Sequence, residues 1–255
     1  MIHVILIANA GVFLEIDGIR FLVDSFHYAP KYPFSMIPQD TFCRMTKDVS
    51  IYRDVDFVLF SHNHPDHYAP SVLAEYLRAN HVRRVLLPEK PADSLEEECL
   101  LQTLADRRIP YWRLGLPEGK VHTYQLMPDV YLTVVGMQHT SEMFADSHCD
   151  CLMLSAKGTN VLFTSDCSFA SERNYAVWQG VEIDTAFVNP YFFHSEKGRD
   201  LLRKWNSRNI VVYHIPFEQD DKISIRSLAH RDFVKFAPEF QNVHLLWNIE
   251  EELYL

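Results

Sequence analysis

The order of apolar runs predicts a mixed α/β fold built twice over. Hairpin-forming runs open the chain, strand-helix units follow, and the same order then recurs. At 255 residues and 47% hydrophobic composition, the chain can bury a full core as one domain spanning 1–255. Two similar halves of this kind predict a four-layer αββα sandwich, with the sheets face to face between outer helices.

The elements follow in order. Val4 to Ile7, Val12 to Ile16 and Phe21 to Val23 are short apolar runs, and Asp17-Gly18 between the last two is a hairpin signal. A segment with little periodicity, Ser25 to Asp48, carries Pro30, Pro33 and Pro38 among Tyr28, Tyr32, Phe34 and Phe42. It is long for a loop and reads as a lid or binding loop, set against a plain surface excursion. The spacing next predicts a strand at Val55 to Phe60, a helix at Ser71 to Ala79 and a strand at Val85 to Leu87. Ser94-Leu95-Glu96-Glu97 has the capping-box pattern and opens a helix reaching Arg108. Five strands follow, at Tyr111 to Leu114, Val121 to Gln125, Val130 to Val135, Cys151 to Ser155 and Val161 to Phe163. The last third predicts strands at Ile183 to Val188, Ile210 to Tyr213 and Val243 to Trp247, with helices at Lys197 to Trp205 and Ile225 to Phe236. The acidic end, Glu250-Glu251-Glu252, reads as a solvated tail.

Composition narrows the function classes. A net charge of −10 argues against binding long nucleic acid, which needs a basic face to replace phosphate counterions. It leaves an anionic small molecule open, because bound divalent cations invert the local charge. Five scattered cysteines, Cys43, Cys99, Cys149, Cys151 and Cys167, suit reduced cytosolic thiols better than a disulfide framework. The apolar start Ile2 to Ala8 lacks a basic flank and reads as a strand rather than a signal peptide. No apolar run approaches a membrane span. The expectation is a soluble, cytoplasmic protein with no membrane partner.

The segment richest in chemistry is Ser61-His62-Asn63-His64-Pro65-Asp66-His67-Tyr68, directly after the apolar run Phe57 to Phe60. Three imidazoles and a carboxylate at the mouth of a buried strand suit a pair of borderline divalent ions. Two metals need more ligands than this loop offers, and rigid supports favour strand ends. Three such ends carry one polar residue each: His139 after Val134-Val135, Asp166 after Val161 to Phe163, and His214 after Ile210 to Tyr213. Each alone reads more readily as a surface or capping residue; behind the His-rich loop, in this order, they support one another. The Asp146 to Cys151 stretch offers no matching ligand pair and reads as structural.

With those residues in place, the chain resembles the metallo-β-lactamase-fold superfamily. The pattern of that superfamily is a His-x-His-x-Asp-His loop followed by a His, an Asp and a final His. The opening hairpin Ala10 to Asp24 is similar as well, and the likeness runs along essentially the whole chain. The resemblance implies that His62, His64 and His139 hold a first metal, that Asp66, His67 and His214 hold a second, and that Asp166 bridges. His64 stands where oxygen-reducing di-iron members carry Glu, and Asp166 stands where true β-lactamases place a Cys ligand. The chain looks nearest to the branch of small metal-dependent hydrolases that includes ascorbate-6-phosphate lactonase-like proteins. Exposed apolar loops of such a fold allow self-association.

The expected function is therefore metal-dependent hydrolysis of a small anionic metabolite, of lactone or phosphoester type, by a hydroxide shared between two metals. Zinc heads the metals, with manganese and iron also accepted by these donors. Asp66 is both ligand and nucleophile-orienting residue. Asp24, at a strand end, is a candidate acceptor for a ligand imidazole N–H, against the reading of a turn residue. His194 is the candidate proton donor to the leaving group, and Lys197 and Arg199, at a helix start, are candidates for holding an anionic tail. The alternatives are a phosphodiesterase or ribonuclease on nucleotides, and a mononuclear-iron oxygenase on the same ligand set.

Overall fold

The computed structural model describes residues 1–28, 30, 34–47, 49–90, 94–141, 147–170 and 172–255. The chain divides into two compact units, residues 1–114 with 248–255 and residues 115–247. Each unit is a seven-stranded mixed sheet with helices, so the fold class matches the α/β reading of two similar halves.

The first unit begins with the antiparallel strands β1 (Ile2–Leu6), β2 (Val12–Ile16) and β3 (Ile19–Val23). Asp17 and Gly18 both take positive φ, 48° and 84°, which is the backbone a two-residue hairpin turn requires. Parallel strands β4 (Phe57–Leu59), β5 (Arg84–Leu87) and β6 (Tyr111–Arg113) extend this sheet beyond β3. Helix α2 (Pro70–Ala79) follows β4 and α3 (Leu95–Asp106) follows β5; Ser94 caps α3, its Oγ accepting the Glu97 N–H at 3.4 Å. The core of this unit packs Val58, Phe60, Leu73, Tyr76 and Leu100 together.

The second unit opens with the antiparallel strands β7 (Val121–Met127), β8 (Val130–Gln138), β9 (His148–Ala156) and β10 (Thr159–Phe163). Parallel strands β11 (Thr185–Val188), β12 (Asn209–Val212) and β13 (Val243–Leu245) complete its sheet. The short α4 (Pro190–His194) and α5 (Glu196–Trp205) connect β11 to β12, and α6 (Ile225–Phe236) precedes β13.

Three expectations change. Within the predicted lid, Ser25 to Asp48, positions 29, 31–33 and 48 lie outside the described residues, and Gln39–Thr46 forms helix α1. Only Thr41 and Met45 of α1 are buried, too few apolar positions to show a helical period in the sequence. The acidic end is not a free tail: Glu252–Tyr254 forms strand β14 against β1, and the Glu250 carboxylate accepts from Arg44 and from the Tyr52 hydroxyl. Finally, β9 starts at His148 because its polar residues are satisfied internally. The buried Asp150 lies 2.8 Å from His148 Nε2 and accepts the Gly115 N–H at 2.8 Å, which is the structural role read from the sequence. Asp146 lies outside the described residues.

Candidate metal centre

Six of the seven sequence-predicted ligands follow strands with a parallel neighbour, β4, β10 and β12, whereas His139 follows β8, which is antiparallel to both of its neighbours. In the first unit, the Asp24 N–H donates to the Leu59 carbonyl at 3.0 Å, which carries the β3–β4 pairing one step further and sets Asp24 beside Ser61. Gly11 makes room for this passage: a Cβ there would come within 2.7 Å of the Ser25 Cα and 2.9 Å of the Asp24 carbonyl oxygen. Asp24 itself holds φ at 49°, an uncommon conformation for a non-glycine residue.

The fully buried Asp24 carboxylate organises the ligand loop. Its Oδ1 accepts the Ser61 N–H at 2.8 Å, and its Oδ2 accepts the Ser61 hydroxyl at 2.7 Å and the His67 Nδ1–H at 3.0 Å. With the Ser61 O–H donating to Asp24, the hydroxyl oxygen accepts the His62 Nδ1–H at 3.0 Å. One carboxylate therefore orients two imidazoles, His67 directly and His62 through Ser61, and leaves the Nε2 of each as the atom that could serve a metal. The rings of His62 and His67 lie 4.0 Å apart and those of His62 and His64 4.6 Å apart. Asp66 Oδ2 is 3.6 Å from His67 Nε2. Behind the loop, Tyr68 donates its hydroxyl to Glu97, which also pairs with Arg113 at 2.5 Å; burial first, then this bond, pushes the Tyr68 pKa far up and keeps the phenol neutral.

In the second unit, the chain around His139 pairs with the chain around Asp166. The Thr140 N–H donates to the Asp166 carbonyl at 2.7 Å, the Ser168 N–H to Gln138 at 2.8 Å, and His139 bridges Cys167. Gly136 lets β8 pass close to the loop at Leu116, whose carbonyl oxygen would lie 2.1 Å from a Cβ there. The Ser141 N–H lies 3.0 Å from His139 Nδ1 and sets that ring. Asp166 faces a different histidine with each oxygen: Oδ2 is 3.4 Å from His139 Nε2 and Oδ1 is 3.9 Å from His214 Nδ1. Asn189 orients this carboxylate, donating to Asp166 Oδ1 at 3.2 Å and to the Ser165 carbonyl at 2.8 Å while its Oδ1 caps α4. Ser165 and His214 both hold positive φ, 47° and 61°. Positive φ thus occurs at one candidate ligand, His214, and at two residues that adjoin or orient candidate ligands, Asp24 and Ser165.

Among the described residues, two donor groups each have their ligand atoms within 4.8 Å of one another: His62, His64 and His139, and Asp66, His67, Asp166 and His214. Six of these seven residues are buried and His64 is half-buried. Nitrogen and carboxylate donors without thiolate fit zinc, manganese or iron. The neighbouring Cys167 is a thiol held apart from this chemistry: it donates to Cys149 at 3.2 Å, and burial pushes its pKa well up.

The residues expected to handle substrate fall in the second unit. Asp232 Oδ2 lies 2.7 Å from Nδ1 of His194, whose ring is half exposed at the end of α4. Lys197 is exposed on α5. The anion-holding role expected of Arg199 does not fit: its guanidinium is buried, donates to the Phe193 carbonyl at 2.9 Å and lies 3.6 Å over the Phe236 ring. Sequence reasoning missed Ser61 and Asn189. The signals were present, a serine immediately before the first ligand and an Asn-Pro pair that opens a helix after a strand.

No protein-family model matches the chain, and no curated protein does. Solved structures are similar over its whole length. CmlA, a diiron β-hydroxylase from Streptomyces venezuelae, has a TM-score of 0.64 at 16% identity; the match covers 100% of this chain, which spans 54% of CmlA. An isothiocyanate hydrolase from Delia radicum gut bacteria has a TM-score of 0.64 at 12% identity, covering 99% of both chains. The metallo-β-lactamase fold protein YhfI from Bacillus subtilis has a TM-score of 0.60 at 14% identity, covering 100% of both.

Proposed function

This chain has the metallo-β-lactamase fold, and we propose that it is a binuclear metal-dependent hydrolase of a small molecule, with a lactone, ester or phosphoester as the reacting group. The observation that carries this reading is the pair of donor groups, three imidazoles in one and two imidazoles with two carboxylates in the other. The two contacts of Asp166, one oxygen toward His139 and the other toward His214, support the reading that it serves both groups. Zinc is the metal that these donors favour first, with manganese and iron accepted.

Divalent ions held there supply an acidified water and polarise the carbonyl or phosphoryl oxygen of the substrate. The rest is the work of the chain. Asp24 and Ser61 hold His62 and His67 in one tautomer, so the ligand loop does not reorganise during turnover. Asp66, 2% exposed, orients the attacking water. His194 gives a proton to the leaving group from Nε2, with Asp232 at Nδ1 supporting the charged ring. The anionic tail expected of the substrate loses Arg199 as its partner. The five cysteines are free thiols. No helix of the described residues is long and apolar enough to cross a membrane.

One observation favours a second reading, iron-dependent oxygen chemistry: the similarity to a diiron β-hydroxylase. A substrate panel separates the two. The zinc-loaded protein is assayed against γ-lactones, bis(p-nitrophenyl) phosphate and thioesters before and after chelation. Turnover of one class, lost on chelation and restored by zinc, is the expected result. Activity only with iron and dioxygen would favour the oxygenase instead.

A further inference from the structure

The first unit holds a cavity of about 480 Å³ between α1, α2 and the chain after β3. That is the size of a small-molecule pocket. Its floor is apolar: Ile37, Phe42 and Val72 pack on the core with part of each side chain exposed, and the exposed Tyr28 ring forms the rim. Among the described residues, Glu75 is the one formally charged member of the lining, and no lysine or arginine takes part in it.

Two segments tie this cavity to the ligand loop. Asp24, which accepts from His67, lies three residues before the lining residue His27, and His67 lies four residues before the lining residue Ser71. Phe26 and Tyr68 pair as a parallel bridge between the two segments. A chain spans at most about 3.3–3.6 Å per residue, so Ser71 lies within roughly 14 Å of His67, and the turn into α2 shortens that distance. A molecule with its reacting group at the metal donors would need a chain of no more than about this length to enter the cavity.

We propose that this cavity receives the non-reacting end of the substrate, and that this end is apolar and neutral or bears an ammonium group facing Glu75. The proposal rests on the metal-dependent hydrolase reading and names the substrate class that reading leaves open. An aryl or alkyl group gains from the floor of Ile37, Phe42 and Val72. A phosphate or carboxylate end meets Glu75 with no cation among the described lining residues to offset it. This differs from the anionic tail that the sequence alone suggests.

The test uses three probes with a common phenethyl group, 2-phenylethylamine, 2-phenylethanol and 2-phenylethanesulfonate, with dissociation constants measured by NMR on the zinc-loaded protein. The expected order is amine tightest, alcohol next and sulfonate weakest. Phe42→Ala weakens the amine and the alcohol at least about fivefold, the loss expected from removing most of one aromatic contact. The charge reversal Glu75→Lys, at an exposed position, moves the sulfonate ahead of the amine. Manganese in place of zinc broadens the phenyl signals of the bound amine, because the cavity lies near the metals. Equal affinities for all three probes, an order unchanged by Glu75→Lys, or no broadening by manganese overturns the proposal. Metal content of the same samples separates this failure from failure of the hydrolase reading: absence of metal after loading sinks the hydrolase, whereas two metals with an unchanged probe order sink only the pocket.

Discussion

The ligands of the first unit and those of the second are held by different physical means. In the first, His62, His64, Asp66 and His67 lie within six positions of one loop, and a single buried carboxylate, Asp24, orients two of the rings. In the second, His139, Asp166 and His214 come from three separate strand ends, set by backbone pairing and by Asn189. A local loop can be pre-shaped by one hydrogen-bond network. Ligands spread over 75 residues depend instead on sheet register, and a register shift of one residue would turn a side chain to the other face. The loop therefore concentrates its sensitivity in Asp24 and Ser61, while the strand ends distribute theirs over the sheet.

Mutations can break or sharpen this contrast. The largest effect is expected from Asp166→Ala, which removes the one carboxylate facing two ligand histidines; turnover falls to background and bound metal drops, with the far-ultraviolet circular dichroism unchanged. Asp24→Asn comes next. Its amide keeps one acceptor oxygen and sets an N–H₂ against donors, so both His62 and His67 lose their orientation. Metal affinity should fall about 10- to 100-fold, as for other groups that orient ligands, and competition with a chromogenic chelator measures it. Ser61→Ala should cost less, because the direct Asp24–His67 bond survives.

Asn189→Ala is the counterpart in the second unit and should give the smaller loss of metal affinity, since backbone pairing still places Asp166. It should also cost about 0.5–2 kcal/mol of stability through the lost cap on α4, read as a shift in the urea midpoint. A loss of metal affinity in Asn189→Ala larger than in Asp24→Asn would reverse the contrast. The smallest effect concerns pH. Burial holds the His244 pKa below its ordinary value, so the folded state binds fewer protons than the unfolded state near that value. Stability then rises with pH up to the ordinary histidine range, about 6.5, and falls as pH drops below it. His244→Gln should flatten the urea midpoint between pH 5.5 and 7 without changing metal content.

Much of this was legible in the sequence, for definite reasons. The Asp17-Gly18 turn, the Ser94–Glu97 cap and the His-rich loop are all local signals whose physics acts within a few residues. Strands buried on both faces, such as β11 and β12, read as continuous apolar runs. Helices α1 and α4 were not legible, since eight and five residues carry too little periodicity. Strand β14 was hidden because Glu252 and Tyr254 are exposed and only Leu253 faces inward. The partnership of Asp24 with Ser61 spans 37 residues, and no spacing rule predicts such a pair. The fate of Arg199 was equally closed: a basic residue at a helix start looks the same whether it meets a substrate or the carbonyls of its own neighbours.

The central proposal is that the seven histidine and aspartate side chains hold two metals. Elemental analysis of the purified protein by mass spectrometry, with no metal added, tests it most directly. About two equivalents of zinc or manganese per chain is the predicted result. No bound metal, even after reconstitution with either ion, would contradict the account.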